Sequence, residues 1–245
     1  MIAQVRAEIL KIRSTRTTVG LVLGMLVLVV AITLLSGLLQ HASDLENNTE
    51  NQRQLLGIGG IAGVFSALAG ILVLTSEYRF GTIRPTFLVS PSWSRILGAK
   101  LIASFVVGVV IGAVGMALSY GIGYICLSQR DIPFVLDNRD IAWLLLGTIA
   151  GTGIWGAIGV GVGAIVRNQI GAVIGLLAWG FVVENILFGL LPSVGRYVPG
   201  QAQNALQGST ADHLLSPAVG GLVLLAWMAG LAAIGLVWTS RRDVA

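Results

Sequence analysis

Residues 19–39 read Val19-Gly20-Leu21-Val22-Leu23-Gly24-Met25-Leu26-Val27-Leu28-Val29-Val30-Ala31-Ile32-Thr33-Leu34-Leu35-Ser36-Gly37-Leu38-Leu39, with no charge and no proline among them. A bilayer core of about 30 Å needs roughly 20 apolar residues of helix to cross it, and this stretch is long enough. No secretory cleavage site follows it, so it reads as a retained membrane helix rather than a signal peptide. Five further stretches have the same character: Leu55–Leu74, Leu97–Leu127, Ala142–Val166, Ile170–Leu191 and Ala218–Trp238. The expected fold is an all-α membrane protein with six transmembrane helices in a single domain covering residues 1–245. The third stretch is longer than a bilayer requires, which predicts tilt or an extension beyond the lipid. None of the six contains an internal proline. Pro133, Pro192, Pro199 and Pro217 lie in connections or at helix starts, where the missing N–H is tolerated.

Composition agrees with that fold. The 245 residues are 55% hydrophobic and 11% charged, with a mean hydropathy of +0.87. A soluble domain carries about 25% charged residues, so a large soluble domain is excluded. The 33 glycines fit membrane helices, which use glycine more than soluble ones do. Cys126 is the single cysteine and reads as a small buried hydrophobe. A net charge of +4 would point to nucleic acid in a soluble protein. Here the basic residues flank the apolar runs, so they set orientation, and no nucleic-acid partner is expected.

Arg6, Lys11, Arg13 and Arg16 precede the first span, and Arg79, Arg84, Arg95 and Lys100 lie around the connection between the second and third. Arg167 separates the fourth and fifth, and Arg241 and Arg242 follow the sixth. The opposite side holds Arg53, Arg130, Arg139 and Arg196. By the positive-inside rule the richer side is cytoplasmic, so both termini are expected there. Ile2, Val5, Ile9 and Ile12 recur at helical spacing among the first basic residues. Residues 1–17 therefore read as an amphipathic helix lying at the inner membrane surface. Inside the spans, small residues recur four apart: Gly59 and Gly63, Ser66 and Gly70, Gly108 and Gly112, Gly115, Ser119 and Gly123, Gly147 and Gly151, Gly159 and Gly163, Gly171 and Gly175. Such ridges let helix backbones approach closely.

Catalytic signatures are missing. The sequence contains no GxxxxGK[ST], HExxH, paired CxxC or GxSxG. His41 and His213 both fall in outer connections and read as solvated. No catalytic site, metal or cofactor is expected in this chain. The most informative segment outside the spans is residues 76–95, which opens Ser76-Glu77-Tyr78-Arg79-Phe80-Gly81-Thr82-Ile83-Arg84-Pro85-Thr86-Phe87. Charge, aromatics and a turn-capable glycine predict a short surface helix, a turn and re-entry. It serves either as a membrane-anchoring loop with snorkelling arginines or as a docking surface for a cytoplasmic partner.

The run Glu77-Tyr78-Arg79-Phe80-Gly81-Thr82-Ile83-Arg84 resembles the first cytoplasmic loop of type-2 ABC transporter permeases, the membrane subunits of ATP-driven bacterial exporters. The resemblance extends along essentially the whole chain. Glu8-Ile9-Leu10-Lys11-Ile12-Arg13-Ser14-Thr15-Arg16 resembles that family's interfacial elbow helix, and six spans with both ends inside match its half-transporter topology. The segment Leu191-Pro192-Ser193-Val194-Gly195-Arg196-Tyr197-Val198-Pro199-Gly200-Gln201-Ala202-Gln203-Asn204-Ala205-Leu206 resembles its outer connection, which often dips back toward the membrane as short helices; here it would occupy residues 192–217. The resemblance implies a bacterial inner-membrane permease that exports a hydrophobic or amphipathic compound. It also implies a separate cytoplasmic ATP-binding cassette subunit holding ATP and Mg, and a second permease subunit, identical or related. Residues 76–95 would take the coupling role, with Glu77, Arg79 and Arg84 at the ATPase and Gly81 and Thr82 shaping the turn.

Glu184, in Phe181-Val182-Val183-Glu184-Asn185, stands in the outward half of the fifth span. A carboxylate at such depth costs about 2.5–3.5 kcal/mol on insertion scales, so it should face protein or water. Either it lines an export path or dimer seam together with Asn185, or it makes a structural hydrogen bond. Trp155, Trp179 and Trp227 read as packing residues. Two other functions fit the composition: a stand-alone secondary transporter, and a structural or regulatory membrane subunit without cargo.

Overall fold

A computed structural model of the chain describes residues 1–46, 48–83, 85, 88 and 92–241. Arg84 and Arg242 lie outside the described residues. Among the described residues every regular element is helical. Six helices are long and apolar enough to cross a membrane, and the chain is a multi-pass helical membrane protein.

The first helix, α1 (Ile2–Ser14), ends at Thr15, whose extended backbone turns the chain into the first span, α2 (Arg16–Leu39). A short α3 (Ala42–Glu46) leads to the second span, built from α4 (Thr49–Leu56), a 3₁₀ segment (Gly57–Ile61) and α5 (Ala62–Arg79). The third span is α6 (Trp93–Gln129) and the fourth α7 (Asn138–Val166). The fifth comprises α8 (Gln169–Ala178), a π-helical turn (Trp179–Val183) and α9 (Glu184–Leu190). Two short helices, α10 (Pro192–Gly195) and α11 (Pro199–Leu206), precede the sixth span, α12 (Pro217–Arg241). Side-chain caps fix three of the starts. Asn48, Asp137 and Asn168 accept hydrogen bonds from the backbone N–H groups of Asn51, Asp140 and Gly171.

The second span is not one continuous α-helix. Gly57, Gly59 and Gly60 loosen it into 3₁₀ geometry, and the hydroxyl of Ser119 donates to the Leu56 carbonyl at 2.8 Å. A Cβ on Gly59 would lie 2.7 Å from the Gly115 carbonyl oxygen, so glycine permits this close approach to the third span.

Backbone-to-backbone packing continues inward. A Cβ on Gly70 would overlap the Gly156 carbonyl, one on Gly159 the Ala67 carbonyl, and one on Gly108 would stand 2.7 Å from the Thr152 carbonyl. The second, third and fourth spans thus form a tight central trio, with the sixth against the fourth at Gly161 and Gly235. The fifth span stands apart. Of its residues only Ala172 and Glu184 are buried. Among the described residues a Cβ on Gly175 would meet nothing within 4 Å, and one on Gly171 would meet only Val166, at the end of the fourth span, and Asn168 beside it.

The apolar stripe of the first helix packs on protein. Ile12 is buried against Val73 and Ala103, with Val5 and Ile9 packed beside it. These side chains face the second and third spans, while Ile2 is left exposed. The protein itself offers an apolar face at this end, and α1 covers it.

Candidate functional site

The densest polar chemistry lies where α1 crosses the neighbouring ends of α5 and α6. Three requirements meet there. Lys100 sits about two turns into an apolar helix, Glu77 sits in the last turn of another, and Glu8 is the single acid of a basic helix. An isolated charge in an apolar interior is costly, so each needs a partner. The fold supplies one: Lys100 Nζ, fully buried, lies 2.8 Å from Glu77 Oε1 and 2.9 Å from Glu8 Oε2, and donates to the Val73 carbonyl at 3.3 Å. Lys11 Nζ lies 2.5 Å from the same Glu77 oxygen and 3.3 Å from Glu8 Oε1. Two lysines and two glutamates thus form a neutral cluster joining three helices. Burial of Lys11 on its own would lower its pKa, but hydrogen bonds and attraction from Glu77 and Glu8 outweigh it and hold the value above the ordinary 10.5. Glu77 is 2% exposed, and its other oxygen, Oε2, has no hydrogen-bond partner among the described residues.

The segment expected to dock a partner begins at this cluster. Glu77 itself does not face outward; its carboxylate is turned into the bundle. Arg79 does face outward, lying over the Phe80 ring at 5.5 Å and donating to the Gln169 side chain at 3.4 Å, which links the second span to the start of the fifth. Gly81 has φ +69°, a left-handed turn that favours glycine, and both it and Thr82 are exposed. Ile83 turns back and is buried among Leu74, Leu97, Val160 and Ala164. Close by, the Arg167 guanidinium covers the Tyr78 ring at 5.3 Å and donates to the Trp238 carbonyl at 3.3 Å, gathering the ends of the second, fourth and sixth spans. Arg167 is itself left-handed, with φ +54°.

The opposite end holds a second polar system. Glu184, 2% exposed, accepts a 2.7 Å hydrogen bond from the backbone N–H of Gly200, in the first turn of α11. A Cβ on Gly200 would overlap that carboxylate oxygen. Glu184 directly follows the π turn, which adds a residue to the helical repeat and resets the face that the acid occupies. Of the two roles open to it, the structural bond is the one with a partner on view. Asn185 goes elsewhere. It is exposed, and its amide donates to the Phe181 and Gly180 carbonyls of its own helix.

Between the fifth and sixth spans lie the short helices α10 and α11, and α11 is seated in the bundle. Ala202, Ala205 and Leu206 are buried, and Ala202 and Leu206 pack with Ile154, Ile158 and Leu224. Trp227 donates to the Tyr197 carbonyl at 2.8 Å, and its ring lies 6.1 Å from that of Trp179, tilted by 59°. Further along, Glu50 accepts from Ser209 Oγ and from the N–H and Oγ1 of Thr210. Arg53, buried, pairs with Asp140 at 2.6 Å.

Sequence reasoning missed the lysine–glutamate cluster, having counted Lys100 only as an orientation signal. The cue was present: a lysine inside an apolar run requires an acid nearby, and Glu77 and Glu8 fall on the side of the membrane expected for Lys100. No protein-family model matches this chain, and no curated protein does.

Proposed function

We propose that this chain is the permease subunit of an ATP-driven exporter of the ABC type, with α1 as its elbow helix at the cytoplasmic face of a bacterial inner membrane. The observation that carries the proposal is the lysine–glutamate cluster. It ties the root of the 76–95 loop to α1 and to the start of the third span through Glu77, Lys11 and Lys100. A force arriving on that loop would reach three helices together. The loop residues Arg79, Gly81, Thr82 and Arg84 would present the surface to a separate ATP-binding cassette subunit, and Glu77 would hold that surface to the bundle.

ATP and Mg would be bound and hydrolysed in the partner, because this sequence has no phosphate-binding loop. The bare fifth span suits a second permease subunit, identical or related. The cargo would be a hydrophobic or amphipathic compound such as a drug, a peptide antibiotic or a lipid-like molecule. Both termini and the basic loops would lie inside, as the distribution of arginine and lysine requires.

The decisive experiment is co-expression with a cognate ATP-binding cassette protein, followed by pull-down and ATPase assay. Wild-type chain should retain the ATPase and alter its rate of hydrolysis. Arg84→Glu should lose the partner or its stimulation while inserting normally. Unchanged co-purification and unchanged ATPase stimulation in that variant would overturn the coupling assignment.

A further inference from the structure

An apolar groove of about 500 Å³ runs up the outside of the bundle, between α1, the first span and the third. Its floor is closed by Ile12, Met25 and Ile111, all buried, and its walls include Val22 and Val110. On the third span it extends from Val106 to Val114, which at 1.5 Å per residue is about 12 Å. Half of a bilayer core is about 15 Å. The groove therefore matches the depth of one leaflet.

Arg13 stands at its mouth. Arg13 is exposed and has no acidic partner within salt-bridge distance among the described residues, whereas Lys11 beside it is paired with Glu8 and Glu77. The single acid of α1 is already engaged by lysines. A slot one leaflet deep, apolar within and cationic at its rim, has the two features of an anionic phospholipid in complementary form.

We infer that this groove is a binding site for one anionic phospholipid, with an acyl chain between the first and third spans and its headgroup phosphate against Arg13. The lipid is a resident partner, distinct from any exported cargo. The inference uses the membrane reading of the chain but needs neither an ATPase nor transport. Lipid tails are as apolar as the groove lining, so the chain contributes mainly shape fit, and headgroup preference comes from the arginine.

The test is native mass spectrometry of the delipidated full-length protein in detergent, titrated with phosphatidylglycerol or phosphatidylcholine. One saturable phosphatidylglycerol is expected, preferred over phosphatidylcholine by about fivefold, the factor that one interfacial cation supports. Arg13→Gln should keep one lipid and lose the preference. Val22→Trp should lose the lipid while its melting temperature stays near wild type. Should that variant not fold, Val110→Trp fills the groove from the opposite wall. Absence of a discrete bound lipid, retention of it in the folded tryptophan variants, or a groove covered by a second copy that those variants release would each overturn the inference. Failure of the ATPase pull-down would leave it untouched.

Discussion

Lys100 Nζ lies 2.8 Å from Glu77 Oε1, and neither side chain reaches solvent. Breaking a buried ion pair by removing one partner costs about 3–5 kcal/mol; here loss of Lys100 leaves Glu77 and Glu8 to share Lys11, an excess negative charge, whereas removing Lys100 and Glu77 together leaves a balanced pair. Lys100→Met should therefore lower the melting temperature in detergent sharply. The Lys100→Met/Glu77→Gln double variant should regain much of the loss, because Lys11 and Glu8 still pair. A coupling energy below about 0.5 kcal/mol in that cycle would show that the two residues do not act together.

Lys11 links the cluster to pH. Its pKa is held above 10.5 in the folded protein, so folding is favoured by its proton. That contribution is fully present below the ordinary pKa and is lost as pH rises through the higher folded value. The melting-temperature difference between wild type and Lys11→Met should stay level from neutral pH to about 10 and shrink above it. Lys11 is partly solvated, so the difference will be small.

Gly159 and Gly175 provide a matched pair. Gly159→Ala drives a methyl group into the Ala67 carbonyl, and overpacking of this kind costs about 1–3 kcal/mol. Gly175→Ala meets nothing within 4 Å and should be neutral, or stabilising by up to about 1 kcal/mol through helix propensity. Thermal melts of the two variants side by side would decide it; equal behaviour would contradict the close approach of the second and fourth spans.

Glu184→Gln should leave the assembled protein intact, because an amide oxygen still accepts from the Gly200 N–H. Glu184→Leu removes the acceptor and leaves that N–H unpaired, costing about 1–3 kcal/mol. Limited proteolysis of residues 192–217 should then accelerate in Glu184→Leu only. If Glu184→Gln abolishes export while proteolysis is unchanged, the carboxylate serves the transport path.

Much of the architecture was legible because the bilayer imposes it. Apolar runs such as Val19–Leu39 have one structural solution, and six of them gave six spans. Helix ends were less so: Asn48 and Asp137 start their helices several residues before the apolar runs at Leu55 and Ala142, because side-chain caps rather than hydropathy set those ends. Glycine spacing found Gly108 and Gly159, which lie at interfaces, and also Gly175, which does not. Periodicity reports that a backbone can be approached, not that another helix is there. The site was hardest, because its residues are far apart in sequence. Glu8 and Lys100 are separated by 92 positions, and Glu184 and Gly200 by 16 across a chain reversal. Single-sequence patterns carry no term for such pairings, although the cost of a charge in an apolar run shows that a partner must exist.

The fifth span touches the rest of the chain mainly at its two ends. Near the start, Gln169 meets Arg79 and Ala172 is buried; near the finish, Glu184 holds Gly200. Between them lies the π turn, where the hydrogen-bond register is already relaxed. A beam pinned at both ends and softened in its middle bows before it breaks. Sideways deflection there would cost few native contacts beyond that of Trp179 with Trp227. Helix five is thus the part of this molecule whose shape its surroundings, lipid or protein, are best placed to decide.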